Sequence, residues 1–196
     1  MLQVLPAGLG RALSGMRPGI NALLFAWVNV PAVIEVSSPA FAGGGAIPAL
    51  HTADGAGLSP PLAWAGVPAA AGALLLVVED ADSPTPRPLV HAIVTGLPAA
   101  DGGLAAGDLP GPGRPGLPGL GVGRNSYFGK AWLPPDPPPG HGPHRYAFQI
   151  FALHGRPAAG PGAPLSGSPG RGALKKILGP GVLAKGCLIG TYERRG

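Results

Sequence analysis

A chain of 196 residues is long enough for one domain with a real core and too short for two. Hydrophobic residues make up 45% and charged residues 12%, which excludes a highly charged disordered chain. The formal charge is +5, but the cations are scattered, and only Lys175–Lys176 and Arg194–Arg195 are adjacent. That argues against a nucleic-acid partner and for a mildly basic, solvated surface.

The 35 glycines and 27 prolines are unevenly spread: stretches 107–123, 134–143 and 155–172 hold 29 of them in 45 positions. Apolar runs lie between these stretches, the arrangement of a loop-rich globular domain rather than of a low-complexity tail. Residues 1–30 read as a helical extension of a domain covering 31–196. Within it Leu9, Ala12, Leu13 and Met16 follow helical spacing with Arg11 off that face, and Pro18-Gly19 breaks the helix. Ile20–Val28 is a second helical stretch, whose apolar face must cap the domain or meet a second subunit in a homodimer. The uncharged run Ile20–Ile34 is too short to span a bilayer as a helix. Asn21, Asn29 and Pro31 interrupt it as a signal sequence, so the expected location is the cytoplasm.

Further on, Ala73–Glu79 is a continuous apolar run of strand length, and Leu89–Leu97 is another, bounded by Pro88 and Pro98. Arg145–Leu153 is rich in aromatic and β-branched residues, which predicts a strand, and Leu188–Tyr192 reads as a last short one. Helical pattern in the second half covers about 172–184, divided into two pieces by Pro180-Gly181. Gly43-Gly44-Gly45 reads as a turn. Several strands, few short peripheral helices and long irregular connections predict a mostly β chain folded as an antiparallel β-sandwich. The single Cys187 excludes an intrachain disulfide and a cysteine-based zinc site, and its apolar setting suits a buried thiol.

Three places put compact polar groups at strand ends. Asp80 and Asp82 follow the run Leu74–Val78; an extended chain would point both to one side, whereas a turn before Pro84 would spend them on backbone N–H groups. His91 lies inside an apolar strand, where burial demands a hydrogen-bond partner such as a carboxylate. The stiff loop Pro137-Pro138-Pro139-Gly140-His141-Gly142-Pro143 delivers His144 and Tyr146 to one face of a strand and Arg145 to the other. Gathered together, these groups would form a small polar cavity walled by Pro137 and Pro138. Imidazole N–H and phenol O–H donors suit a phosphate-like or carboxylate anion. A metal site using His141, His144 and Asp80 or Asp82 is the alternative, but a Gly/Pro loop lacks the helix that usually holds closely spaced ligands. Gly-x-Ser-x-Gly and Walker-type motifs are absent, and no Gly-x-Gly-x-x-Gly follows a strand.

The segments 59–68, 79–84, Val90-His91, 137–146 and 190–194, in that order, resemble the phosphatidylethanolamine-binding protein family, also called Raf-kinase-inhibitor-like proteins, in its bacterial branch. The resemblance covers roughly residues 33–194. It implies a β-sandwich with Greek-key connections and an anion pocket at one end. It assigns ligand-binding positions to Asp80, Asp82, His91, Pro137, Pro138, His144 and Tyr146. Two positions depart from the family pattern: Leu89 stands where many members have Trp, and Ala81 where many have Pro. The expected protein is a non-enzymatic ligand-binding or regulatory one, without a cofactor, taking a small anion or a phospholipid headgroup. Inhibition of a kinase or protease partner is the second reading, and a hydrolase using the His/Asp cluster the third.

Overall fold

The computed structural model describes residues 6–111, 113–155, 169–179 and 181–195. Among these residues eight strands form two sheets, with every strand pair antiparallel. The smaller sheet contains β1 (Glu35–Ser37), β2 (Leu62–Ala65) and β5 (Gly102–Leu104), in the order β1-β2-β5. The larger runs β6-β4-β3-β7-β8, from β3 (Ala71–Asp80), β4 (Leu89–Leu97), β6 (Gly121–Val122), β7 (His144–His154) and β8 (Val182–Tyr192). The predicted runs at 73–79, 89–97 and 145–153 are thus strands β3, β4 and β7.

Alternation along the central strands decides where the core sits. On one face, β3 and β7 pair Leu74 with Ala152, Leu76 with Ile150 and Val78 with Phe148. These residues meet Val36, Leu62, Trp64 and Leu104 of the smaller sheet in one buried cluster, which is the sandwich core. The same row ends in Asp80 opposite Tyr146, with His144 one step beyond. The polar residues therefore stand at the end of the inter-sheet core, where the hydrocarbon gives out.

The opposite face of the larger sheet buries Leu75, Val77, Ile93 and Phe151 under two short helices, α2 (Leu24–Trp27) and α3 (Arg171–Ile177). Leu24 and Val28 lie in this second cluster with Leu174 and Leu178, so the stretch 20–28 caps the domain. It contains a single 3-10 turn (Ile20–Ala22) followed by α2 rather than one continuous helix. Lys185 of β8 holds the end of α2 by donating to the carbonyls of Phe25 and Val28. Upstream, α1 (Ala7–Leu13) ends before Pro18-Gly19 as the sequence predicts.

The second helical piece expected near 181–184 is instead the start of β8, which pairs with β7 over its length and is much longer than the run 188–192. Short apolar runs do not distinguish helix from strand by periodicity. Gly186 is there because a Cβ would stand 2.1 Å from the carbonyl oxygen of Ile34, a close approach of backbones and not a chain break. Cys187 is held as the thiol, burial pushing it up to about 12. Among the described residues no helix is long and apolar enough to cross a membrane.

Leu24 is fully buried, so Leu24→Ala should cost about 3 kcal/mol, read as a lower denaturant midpoint at unchanged slope. A cost below about 1 kcal/mol would mean that the second cluster does not depend on α2.

Candidate functional site

The end of β3 carries three acids, Glu79, Asp80 and Asp82, and the structure sends them to three places. Glu79 points to the helix side, where it accepts hydrogen bonds from the Leu24 N–H, the Gln149 amide and Arg171. Asp80 stands on the core face and is joined to His144 Nδ1 at 2.7 Å. The strand stops there, and the Asp82 N–H donates to Asp80 Oδ1 at 2.8 Å, the turn that competed with an extended chain. The turn carries Asp82 away from Asp80. Its carboxylate takes two side-chain hydrogen bonds and one backbone hydrogen bond from Arg145, with Arg17 at 3.6 Å. Burial raises the Asp82 carboxyl, but the hydrogen bonds and charge of Arg145, aided by Arg17, lower it further, to below the usual aspartate value.

His91 reaches the same face through a β-bulge. Val78 opposes Ala92 and Glu79 opposes Val90, so His91 is the extra residue between them. Ile93 and Val90 face the helix side, whereas Ala92 packs in the sandwich core. Simple alternation would turn His91 outward; the bulge re-aims it inward. There its ring meets Tyr146 edge-on at 5.1 Å and Trp132 at 6.1 Å. Leu133 fastens the bulge from both sides. Its N–H donates to the His91 carbonyl, and its own carbonyl accepts from His91 Nδ1 at 2.6 Å. A carbonyl can only accept, so Nδ1 carries the proton. Burial keeps this imidazole below its ordinary pKa, with Asp80 and Leu133 opposing, and the neutral ring leaves Nε2 as a bare acceptor. Nε2 and the Tyr146 hydroxyl are both buried without a hydrogen-bond partner.

The hollow at this place has a volume of about 30 Å³, room for a water-sized group or the oxygens of a small anion and none for an acyl chain. Asp80, His91, His144, Pro137 and Pro138 all lie in its wall. Tyr146 is fully buried in ring contact with His91 and His144 but is not part of the wall. Burial, then Asp80 and Asp136, push its phenol well above the ordinary value, so it stays protonated.

His141 takes part in a way the sequence did not mark. Its Nε2 lies 2.9 Å from the Leu13 carbonyl, and its Nδ1 lies 2.7 Å from His144 Nε2. The chain Leu13–His141–His144–Asp80 thus has three hydrogen bonds and needs three protons, one more than two neutral imidazoles supply. The third proton is shared within this hydrogen-bonded unit. It does not rest on His141, whose pKa is lowered by burial and by His144, and whose Nδ1 faces an Arg17 N–H at 3.4 Å. Both nitrogens of His144 are therefore spent inside the protein. Among the described residues no three His, Cys, Asp or Glu side chains are placed to hold a metal ion.

The wall also holds residues outside the predicted set. Leu89 pairs with Asp80 and lines the hollow in the position of the absent aromatic. Tyr127, half exposed in the loop before β7, supplies an aromatic from another direction. Asp136 sits in the Pro-rich loop and pairs with Arg194 at 2.7 Å, while Arg194 also donates to the Pro137 carbonyl. That cation ties the proline wall to the segment after β8.

The profile of the family described as "Phosphatidylethanolamine-binding protein" matches residues 37–193. A UPF0098 protein of Mycobacterium tuberculosis is 38% identical over 161 residues, covering 82% of this chain and 71% of that protein. From the same organism, a protein named as a candidate lipoprotein, LppC, is 37% identical over 162 residues, covering 82% and 72%. The crystal structure of a phosphatidylethanolamine-binding protein homologue from Chlamydia trachomatis superposes with a TM-score of 0.71 at 29% identity, covering 83% of this chain and 98% of that one.

Because the Asp82 pKa is depressed by folding, its stabilisation is complete above the ordinary value of 3.8 and is lost as pH falls through the lower folded value. Asp82→Asn should therefore cost about 2 kcal/mol at neutral pH, and the gap should shrink below about pH 4. Melting temperatures of both proteins across pH 2–7 check this, and a gap independent of pH would contradict it.

Proposed function

Since the chain belongs to the phosphatidylethanolamine-binding protein family, we propose that it is a non-enzymatic ligand-binding protein whose small hollow takes a phosphate-like or carboxylate oxyanion. The observation that carries this reading is the pair of buried polar atoms with no partner, His91 Nε2 and the Tyr146 hydroxyl, gathered beside one proline-walled hollow. A fold accepts such atoms at a cost of about 1–3 kcal/mol each, and a bound polar group would remove that cost. His144, joined to Asp80 at 2.7 Å, lies in the same wall. A headgroup fits the hollow, and an acyl chain would have to lie outside it.

Among the described residues no free nucleophile stands beside His91 or His144, which argues against hydrolysis. Ser83 is in the wall, but its hydroxyl is engaged with Thr85 at 2.7 Å, and both nitrogens of His144 are committed to His141 and Asp80. Inhibition of a kinase or protease would use the rim of the hollow, where the half-exposed Tyr127 stands.

Calorimetric titration with inorganic phosphate and with phosphoethanolamine tests the reading. Tyr146→Phe should weaken binding about tenfold while leaving stability equal or up to about 1 kcal/mol higher, because it deletes an unpaired buried hydroxyl. Failure of the unaltered protein to bind either anion, or undiminished affinity in both Tyr146→Phe and His91→Ala, would overturn it.

A further inference from the structure

Resting on the reading of the hollow as an oxyanion site, the geometry fixes which form of the anion it accepts. Anion sites are usually built from donors. This one presents an acceptor, because Leu133 takes the only proton of the neutral His91 ring and leaves Nε2 as an unpartnered lone pair on a ring that lines the hollow. Two carboxylates, Asp80 and Asp136, also lie in the wall.

The charges around His91 come from three elements. β3 contributes Asp80, hydrogen-bonded to His144 of β7; β7 also contributes the neutral phenol of Tyr146. The loop before β7 contributes Asp136, balanced by Arg194, and the neutral Tyr127. No uncompensated cation among these faces the ligand. A fully ionised oxyanion would set its own lone pairs against Nε2 and its full charge against two carboxylates. An oxyanion that keeps one hydroxyl can donate that proton to Nε2 and brings one negative charge fewer.

We propose that the site selects oxyanions that carry an ionisable O–H, the monoanions of phosphate and of phosphate monoesters, over anions such as sulfate that carry none at the same pH. Phosphate monoesters lose their second proton near pH 6, so the accepted form is abundant in mildly acidic solution and is depleted about tenfold for each pH unit above neutrality. The wall thereby discriminates between two tetrahedral anions of nearly the same shape by a single proton.

The test is calorimetry with inorganic phosphate, methyl phosphate and sulfate at pH 5.5 and 8, each in two buffers of different ionisation enthalpy. Methyl phosphate should bind most tightly at pH 5.5 and weaken at least tenfold by pH 8, with about one proton taken up per site at the higher pH. Sulfate should bind at least tenfold more weakly than phosphate at both values. In His91→Gln, whose side-chain amide can turn to donate, the ratio between phosphate and sulfate should narrow. Sulfate binding as tightly as phosphate would overturn the selection while leaving the hollow an anion site, whether or not a proton is taken up. Absence of binding by all three anions would remove the anion site itself, and the selection with it.

Discussion

The antiparallel pairing of β3 with β7 is the constraint from which the site follows. It sets Asp80 opposite Tyr146 at the end of a row that is otherwise hydrocarbon, and it places His144 one step further on. A slip of one residue would send every one of these side chains to the other face, among the helices. The register is held by the row itself, since Leu74, Leu76 and Val78 must meet the smaller sheet for the sandwich to close. Core packing and site geometry are thus one requirement seen at two ends of the same strands.

Buried charge is managed by giving each acid a separate set of partners. Glu79, Asp80 and Asp82 lie within four positions, yet they face Arg171, His144 and Arg145 respectively. Unpaired, any of them would be costly to bury. Paired, they connect the site to distant parts of the chain: Glu79 holds α2, and Asp82 reaches the segment after α1 through Arg17. Asp80 is joined to His144 at 2.7 Å, and His144 gives its other nitrogen to His141.

The N-terminal residues hold the site through the Leu13 carbonyl and the Arg17 side chain. Leu13 offers a carbonyl to His141, and Arg17 donates to the carbonyls of His141 and Pro143. Gly10 of α1 lies against the Pro139 carbonyl so closely that a Cβ would stand 2.0 Å from it. The Pro/Gly loop is therefore gripped by α1 on one side and by Arg194 on the other, and its stiffness is supplied by these contacts as well as by its prolines.

The central strands, the sandwich class and the resemblance to a ligand-binding family were legible because they rest on local pattern: apolar runs of strand length, turn residues between them, and compact motifs in order. His144 and Tyr146 on one face also followed from alternation alone. Other features depend on what lies across space. The bulge at His91 breaks alternation through pairing with β3, Gly186 of β8 answers to the backbone of Ile34, and Tyr127 and Asp136 enter the wall from the connection before β7. The amino-acid order by itself determined which groups were available to make a site. Only the tertiary structure decided which protons those groups still had to offer, because a hydrogen bond already made to Leu133 or His141 is a property of neighbours and not of sequence.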